Sequence, residues 1–155
     1  MHRVFCATPA GLEAERQAFY DVMGEFNAAE AMPRGILMVA VSLPPTTDKR
    51  RYEQVMEENV RACRYYLQVL EADWGPPERN FERDFSLARE CVDDPAMPMR
   101  EAAVLFKKTQ AGTAEPPMAC GSQRFDFAGV EEFRGIVRAL LGRWLETLAA
   151  PVEQA

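Results

Sequence analysis

Apolar runs of strand length alternate along this chain with segments of helical period, and no other feature limits the fold as strongly. The runs occupy residues 3–7, 36–43, 65–72 and 102–107. Between them, apolar side chains recur three and four positions apart within residues 12–26, 52–63 and 81–92. Strands and helices in strict alternation are typical of a parallel sheet with helices on both faces.

Further details of the pattern extend this prediction. The continuous run at 36–43 favours a strand that is covered on both faces. Residues 124–127 are predicted as a short edge strand, and the apolar stripe in 130–148 as a last helix. Thr8 suits an N-cap, with Pro9 in the first turn of the helix that follows. We therefore expect a central parallel sheet of four or five strands.

Composition limits the classes of protein to which the chain can belong. It has 155 residues, 48% of them hydrophobic, which fits one domain over residues 1–150 and a tail at 151–155. The net charge of −6 argues against duplex nucleic acid or an anionic membrane surface as a partner. The first residues lack the apolar core of a signal peptide, so the pattern favours the cytoplasm, where cysteines are reduced.

Metal and nucleophile chemistry find little support in the sequence. The four cysteines lack C-x-x-C spacing, and the single histidine, His2, lies at the start of a predicted strand. We therefore predict no metal site. In a parallel sheet, ligands bind beyond the carboxyl ends of the strands. The candidate site is thus formed by the loops at 8–11, 44–48 and 73–80.

Two charged residues fall on helix faces that are otherwise apolar. Asp84 follows Phe81 by three positions and precedes Ala88 by four. Arg16 follows Leu12 by four positions and precedes Phe19 by three. Buried charges need a partner, so Arg16 and Asp84 are predicted to pair or to converge on a shared polar ligand.

Local explanations exist for the same residues. The helix dipole favours an aspartate in a first turn, and a long arginine side chain can reach water. Glu82 falls on a polar face with Ser86 and Arg89 and is expected to be solvated. Trp74 is predicted either to stack on a base or to pack in the core.

Several short segments resemble a TIR-like family of unknown function that is often fused to signalling NTPases. Thr8, Leu12, Glu15 and Arg16 in ATPAGLEAER resemble its first-strand motif S-S-T-x-x-D-L-x-x-E-R. VRACRYYLQVLEADWG is similar to the family's third-strand segment, FERDFSLA to its acidic helix start, and AAVLFKK to its fourth strand. Together these matches cover residues 3–108.

The resemblance implies a flavodoxin-like three-layer sandwich related to TIR domains and nucleoside deoxyribosyltransferases. In enzymatic relatives, a glutamate at this helix start acts on the sugar carbon of NAD or a nucleoside. Asp84 matches that position, and Glu82 matches the neighbouring acidic one. A carboxylate there could stabilise an oxocarbenium-like transition state.

Two functions therefore stand as hypotheses. The first is a cytoplasmic nucleotide-binding or protein-interaction module in signalling or defence, which assembles with itself or with a signalling partner. The second is an N-glycosidase or glycosyl transferase that acts on NAD or a nucleoside. In the second, Asp84 is the catalytic carboxylate, Arg16 orients a carboxylate or phosphate, Trp74 stacks on the base, and Thr8 lies in the ligand loop.

Overall fold

The structure, a computed structural model, describes residues 1–9, 11–42, 49–71, 81–108 and 123–149; for 49–52 it gives only the backbone. Five strands form one sheet, and four α-helices flank it within these residues. The strands are β1 (His2–Ala7), β2 (Met38–Val41), β3 (Tyr65–Glu71), β4 (Glu101–Lys107) and β5 (Gln123–Phe127). The helices are α1 (Glu13–Phe26), α2 (Lys49–Ala62), α3 (Phe81–Asp93) and α4 (Val130–Ala149).

The sheet is parallel throughout, in the order β2-β1-β3-β4-β5. Helices α1 and α4 pack on one face, and α2 and α3 pack on the other. This is the flavodoxin-like three-layer arrangement, and it confirms the predicted fold class. The strand order reverses between β1 and β3, so the carboxyl ends of these two strands mark the place where such sheets bind ligands.

Burial of the central strands explains their composition. Residues 65–70 of β3 are buried, because this strand has neighbours on both sides and helices on both faces. Its odd-numbered side chains pack under α1 and α4, and Tyr66 and Leu70 pack under α2 and α3. Gln68 is the exception in this apolar set and is fully buried. A buried amide is costly unless it is hydrogen-bonded, so Gln68 needs partners within the fold.

The second strand differs from its prediction. The apolar run at 36–43 is not a strand covered on both faces: β2 spans only Met38–Val41 and lies at the edge of the sheet, with Val39, Ala40 and Val41 half-buried. Leu37 is 38% exposed. Hydrophobic composition alone does not separate a central strand from an edge strand that helices partly cover. At the other edge, β5 confirms the short strand predicted at 124–127.

The start of the first helix also differs. Helix α1 begins at Glu13, and Leu12 occupies its N-cap position without a side-chain cap. Thr8 is therefore not the N-cap; its hydroxyl lies 3.5 Å from the Cys6 sulfur, in the segment between strand and helix. The helix ends in a π-helical turn over Asn27–Ala31 and a 3₁₀ turn over Met32–Arg34, which the sequence pattern did not predict.

Candidate functional site at the carboxyl edge of the sheet

The parallel strands all end at one edge of the sheet, and several polar side chains collect there. Thr8 follows β1, Ser42 follows β2, and Lys107 ends β4. Helices α1 and α3 begin at the same edge, because α1 is the next element after β1 and α3 is the next element after β3. The predicted loops at 44–48 and 73–80, which include Trp74, lie outside the described residues.

Arg16, in the first turn of α1, lies over the end of β2. Its Nη2 donates a hydrogen bond to Ser42 Oγ across 3.2 Å, and the Tyr20 hydroxyl also hydrogen-bonds to Ser42 Oγ. Tyr20 follows Arg16 by one helical turn, so both side chains leave the same face of α1. The result is a guanidinium and two hydroxyls that converge on one point.

The charge of Arg16 is not balanced by this contact. Ser42 is neutral, and none of the ion pairs found among the described residues includes Arg16. Arg16 is half-buried, and its guanidinium lies near enough to Cys6 to oppose the rise in that thiol's pKa. A partly desolvated cation without a carboxylate favours an anion from solution at this position.

The neighbouring Glu15 lies in a different environment. It is only 1% exposed, and Lys107 Nζ lies 2.8 Å from its Oε1. The contact with Glu15 raises the pKa of the Lys107 amine above its ordinary value. The contact joins the first turn of α1 to the end of β4, and it fixes the helix that carries Arg16.

Gln68 lies beneath the place where the strand order reverses. Its amide nitrogen donates to the carbonyl oxygens of Ala7 and Val69, each at 3.3 Å, and its Oε1 accepts from the Tyr66 hydroxyl at 2.8 Å. These bonds supply the partners that burial requires. The Tyr66 ring is tilted against Phe85 of α3, with ring centroids 6.2 Å apart, so a chain of contacts links the end of β1 to α3.

The first turn of α3 carries the predicted acidic residues. Asp84 is half-buried and its Oδ2 is shielded from solvent, whereas Glu82 is exposed. Phe81, Phe85, Ala88 and Cys91 are buried, which confirms the predicted apolar stripe. The solvated position expected for Glu82 is also confirmed, and Asp84 lies at the border of the stripe.

Arg16 and Asp84 do not share one helix layer. Helix α1 covers one face of the sheet and α3 covers the other, so the two charges flank the carboxyl edge from opposite sides. The contact that the structure describes for Arg16 is with Ser42 instead of Asp84. A ligand that contacts both residues would have to cross this edge.

Cys6 lies close to the site but is poorly suited to act as a nucleophile. Complete burial raises the pKa of its thiol to about 11. The nucleophile in cysteine chemistry is the thiolate, which is scarce at neutral pH when the pKa is raised in this way.

Sequence reasoning missed Glu15, Tyr20, Ser42 and Gln68 as members of this site. Glu15 follows Leu12 by three positions and precedes Phe19 by four, so the spacing rule applied to Arg16 would also have selected it. Gln68 stands out as a polar residue within an apolar strand. Nothing local in the sequence selects Ser42, because its role depends on the pairing of β2 with β1.

Within the described ranges, no three His, Cys, Asp or Glu side chains lie close enough together to hold a metal ion. No helix among them is long and apolar enough to cross a membrane. In comparisons with known proteins, no family model matches the chain and no curated protein is significantly similar to it.

Proposed function

We propose that the chain is a TIR-like module that binds a nucleotide at the carboxyl edge of its sheet, with a phosphate group on Arg16. The observation that carries the proposal is the half-buried Arg16, whose guanidinium contacts a neutral hydroxyl in the described structure. The flavodoxin-like strand order supports it, because this edge is the usual ligand position in such sheets.

The cluster around Arg16 suits a phosphate in particular. A guanidinium offers several N–H donors in a plane, and only one of them bonds to Ser42. The hydroxyls of Ser42 and Tyr20 can turn their hydrogens toward an added oxyanion. Charge-assisted bonds of this kind are roughly twice as strong as neutral ones.

Replacing Arg16 with alanine tests the proposal. We expect NAD and ADP to bind to the unmodified protein. The Arg16→Ala variant should bind each of them about tenfold more weakly, because it loses one hydrogen bond to a charged group. Adenosine, which has no phosphate, should bind equally weakly to both proteins. Isothermal titration calorimetry at two salt concentrations would measure these affinities, and higher salt should weaken ADP binding.

Arg143→Ala provides the matched control, since Arg143 contacts Glu101 at the amino ends of the strands, away from the candidate site. This variant should bind ADP as the unmodified protein does. A protein that binds neither NAD nor ADP would contradict nucleotide binding. Equal ADP affinity in Arg16→Ala and the unmodified protein would contradict the assignment of Arg16.

The position of Asp84 supports a second candidate function, cleavage of an N-glycosidic bond in NAD or a nucleoside. Its carboxylate combines a shielded oxygen with a place in the first turn of α3 at the ligand edge. A carboxylate so placed can stabilise positive charge at the sugar carbon while the base departs and water attacks. The same ligand position would then serve binding and chemistry.

Chromatography of the released base tests this second candidate. Asp84→Asn should abolish release from NAD or a nucleoside, because the amide carries no charge to stabilise the transition state, and Asp84→Glu should retain release. Glu90→Gln, at an exposed position of the same helix, is the control. Release that persists in Asp84→Asn but disappears in Glu82→Gln would move the catalytic role to Glu82.

A further inference from the structure

Three arginines lie side by side at the amino ends of the strands, away from the candidate site. Arg64 N–H donates to Arg3 O at 2.9 Å, and Arg100 N–H donates to Arg64 O at 2.7 Å. These bonds continue the registers of β1 with β3 and of β3 with β4 by one residue. Neighbouring strands are about 4.8 Å apart, so the three positive side chains start from closely spaced positions. We call Arg3, Arg64 and Arg100 the arginine row.

The arginine row starts on one face of the sheet. The residue two positions after each arginine packs under α2 and α3. Residues two positions apart on a strand point to the same face, so the three arginine side chains leave the sheet on that side. Arg3 and Arg100 are exposed there, which makes the row accessible from solvent.

The positive charge of the arginine row is not balanced by carboxylates. None of the ion pairs found among the described residues includes a member of the row. Arg100 Nη1 donates to two backbone carbonyl oxygens, which are uncharged acceptors. Glu101, the next residue, accepts from Arg143 and Trp144 of α4. The row is thus a local excess of positive charge on a chain whose net charge is −6.

Arg64, the central member of the row, is the least exposed of the three. Its Nε is shielded from solvent and has no hydrogen-bond partner within the described residues, although its side chain bonds to the Tyr65 hydroxyl. Burial lowers the pKa of His2, and neighbouring positive charges that include Arg64 act in the same direction. A partly dehydrated cation beside other cations favours an anion from solution.

We propose that the arginine row binds a chain of three or more phosphate groups, from inorganic polyphosphate or from a nucleoside triphosphate. Each guanidinium can donate two parallel hydrogen bonds to a phosphate. Phosphate groups along such a chain are closer together than neighbouring strands, so every arginine of the row meets an oxyanion. The diphosphate of ADP is too short to meet all three.

Other anions fit the arginine row less well. On one face of an extended peptide, successive acidic side chains are about 7 Å apart, which exceeds the spacing of the row. The row is also short and lies on an acidic protein, which disfavours duplex nucleic acid. A short phosphate chain matches both the spacing and the charge of the row.

Isothermal titration calorimetry with tripolyphosphate tests this proposal, at low salt where such contacts are least screened. The unmodified protein should bind this anion. Arg3→Gln and Arg64→Gln should each bind it about tenfold more weakly, because each loses a charge-assisted contact. Arg61→Gln is the matched control and should bind as the unmodified protein does, since Arg61 is exposed and already pairs with Glu57. Arg16→Ala should also retain the binding, because Arg16 lies at the carboxyl edge.

Two further ligands identify the chemistry, with Arg16→Ala as the protein so that the candidate site does not contribute. ATP that binds more tightly than tripolyphosphate would point to a nucleoside triphosphate, and ATP that binds more weakly would point to inorganic polyphosphate. Hexaglutamate that binds more tightly than tripolyphosphate would overturn the assignment of a phosphate ligand.

The proposal fails if tripolyphosphate does not bind, if Arg3→Gln and Arg64→Gln bind it as tightly as Arg61→Gln, or if binding is lost in Arg16→Ala. A titration of the unmodified protein followed by NMR decides the question even when Arg64→Gln does not fold. The backbone amide resonances of the arginine row should shift as tripolyphosphate is added. Shifts confined to the carboxyl edge of the sheet would overturn the proposal.

Discussion

Replacing Lys107 with methionine is expected to lower the free energy of unfolding by about 3 kcal/mol, because it leaves the carboxylate of Glu15 buried without its cation. Glu15 is 1% exposed and lies 2.8 Å from Lys107 Nζ. Lys107 itself retains some contact with water, which places the expected loss at the lower end of the range for broken buried pairs. Urea unfolding followed by circular dichroism would measure it.

The effect should depend on pH in a defined direction. An isolated buried carboxylate takes up a proton more easily, so the loss in Lys107→Met should be smaller at acidic than at neutral pH. In the unmodified protein the pair raises the pKa of Lys107 above its ordinary value of 10.5. Its contribution to stability is therefore complete below pH 10.5 and is lost as the pH rises through the folded-state pKa. This alkaline loss should be absent in the variant.

Two control variants test whether the loss of stability comes from leaving a buried charge unpaired. Glu15→Met/Lys107→Met removes both charges and should recover most of the stability. Arg34→Met breaks an ion pair with Glu146 whose side chains are 42% and 71% exposed, and it should cost less than about 1 kcal/mol. A Lys107→Met variant no less stable than Arg34→Met would show that the Glu15–Lys107 pair contributes little.

Replacing Trp144 with alanine is expected to cost about 4 kcal/mol, or on the order of 10 °C in Tm. The indole is 3% exposed and stacks on Tyr65, with ring centroids 4.1 Å apart and planes 5° from parallel. Its Nε1 donates to the Glu101 carboxylate. The substitution removes the ring, leaves a cavity between α4 and the sheet, and deprives Glu101 of a donor.

Trp144→Phe distinguishes these causes, since it keeps an aromatic ring and loses only some volume and the hydrogen bond. We expect it to cost about 1–2 kcal/mol, measured by differential scanning calorimetry. Trp144, Tyr65 and Glu101 lie at the amino edge of the sheet, so neither variant should change ADP affinity while the protein is folded. A loss for Trp144→Ala no larger than that for Trp144→Phe would show that the cavity contributes little.

Much of the fold could be predicted from sequence because alternation and helical period report on local structure. The order of strands and helices, the parallel sheet and the buried stripe of α3 all follow from spacing within single elements. The edge position of β2 and the π-helical turn beside it could not be predicted in this way. Both depend on which strand lies next to which, and an apolar run does not encode its neighbours.

The candidate site was also predicted only in part. Sequence spacing placed Asp84 on the apolar stripe of α3, whereas the structure has it half-buried at the border of that stripe. Spacing also drew attention to Arg16. Yet spacing placed Arg16 in the buried position that Glu15 occupies. The two residues are adjacent and fit the apolar pattern equally well, and only the approach of Lys107 from β4 separates their roles.

The sequence alone determined that this chain forms an α/β sheet with polar residues at its carboxyl edge, since periodicity fixes which side of each element meets the core. Only the tertiary structure decided which of those residues meet. Arg16 and Ser42 are 26 positions apart, and Glu15 and Lys107 come from α1 and β4. Such contacts depend on strand order and register, which arise from packing among distant segments and leave no local pattern in the chain.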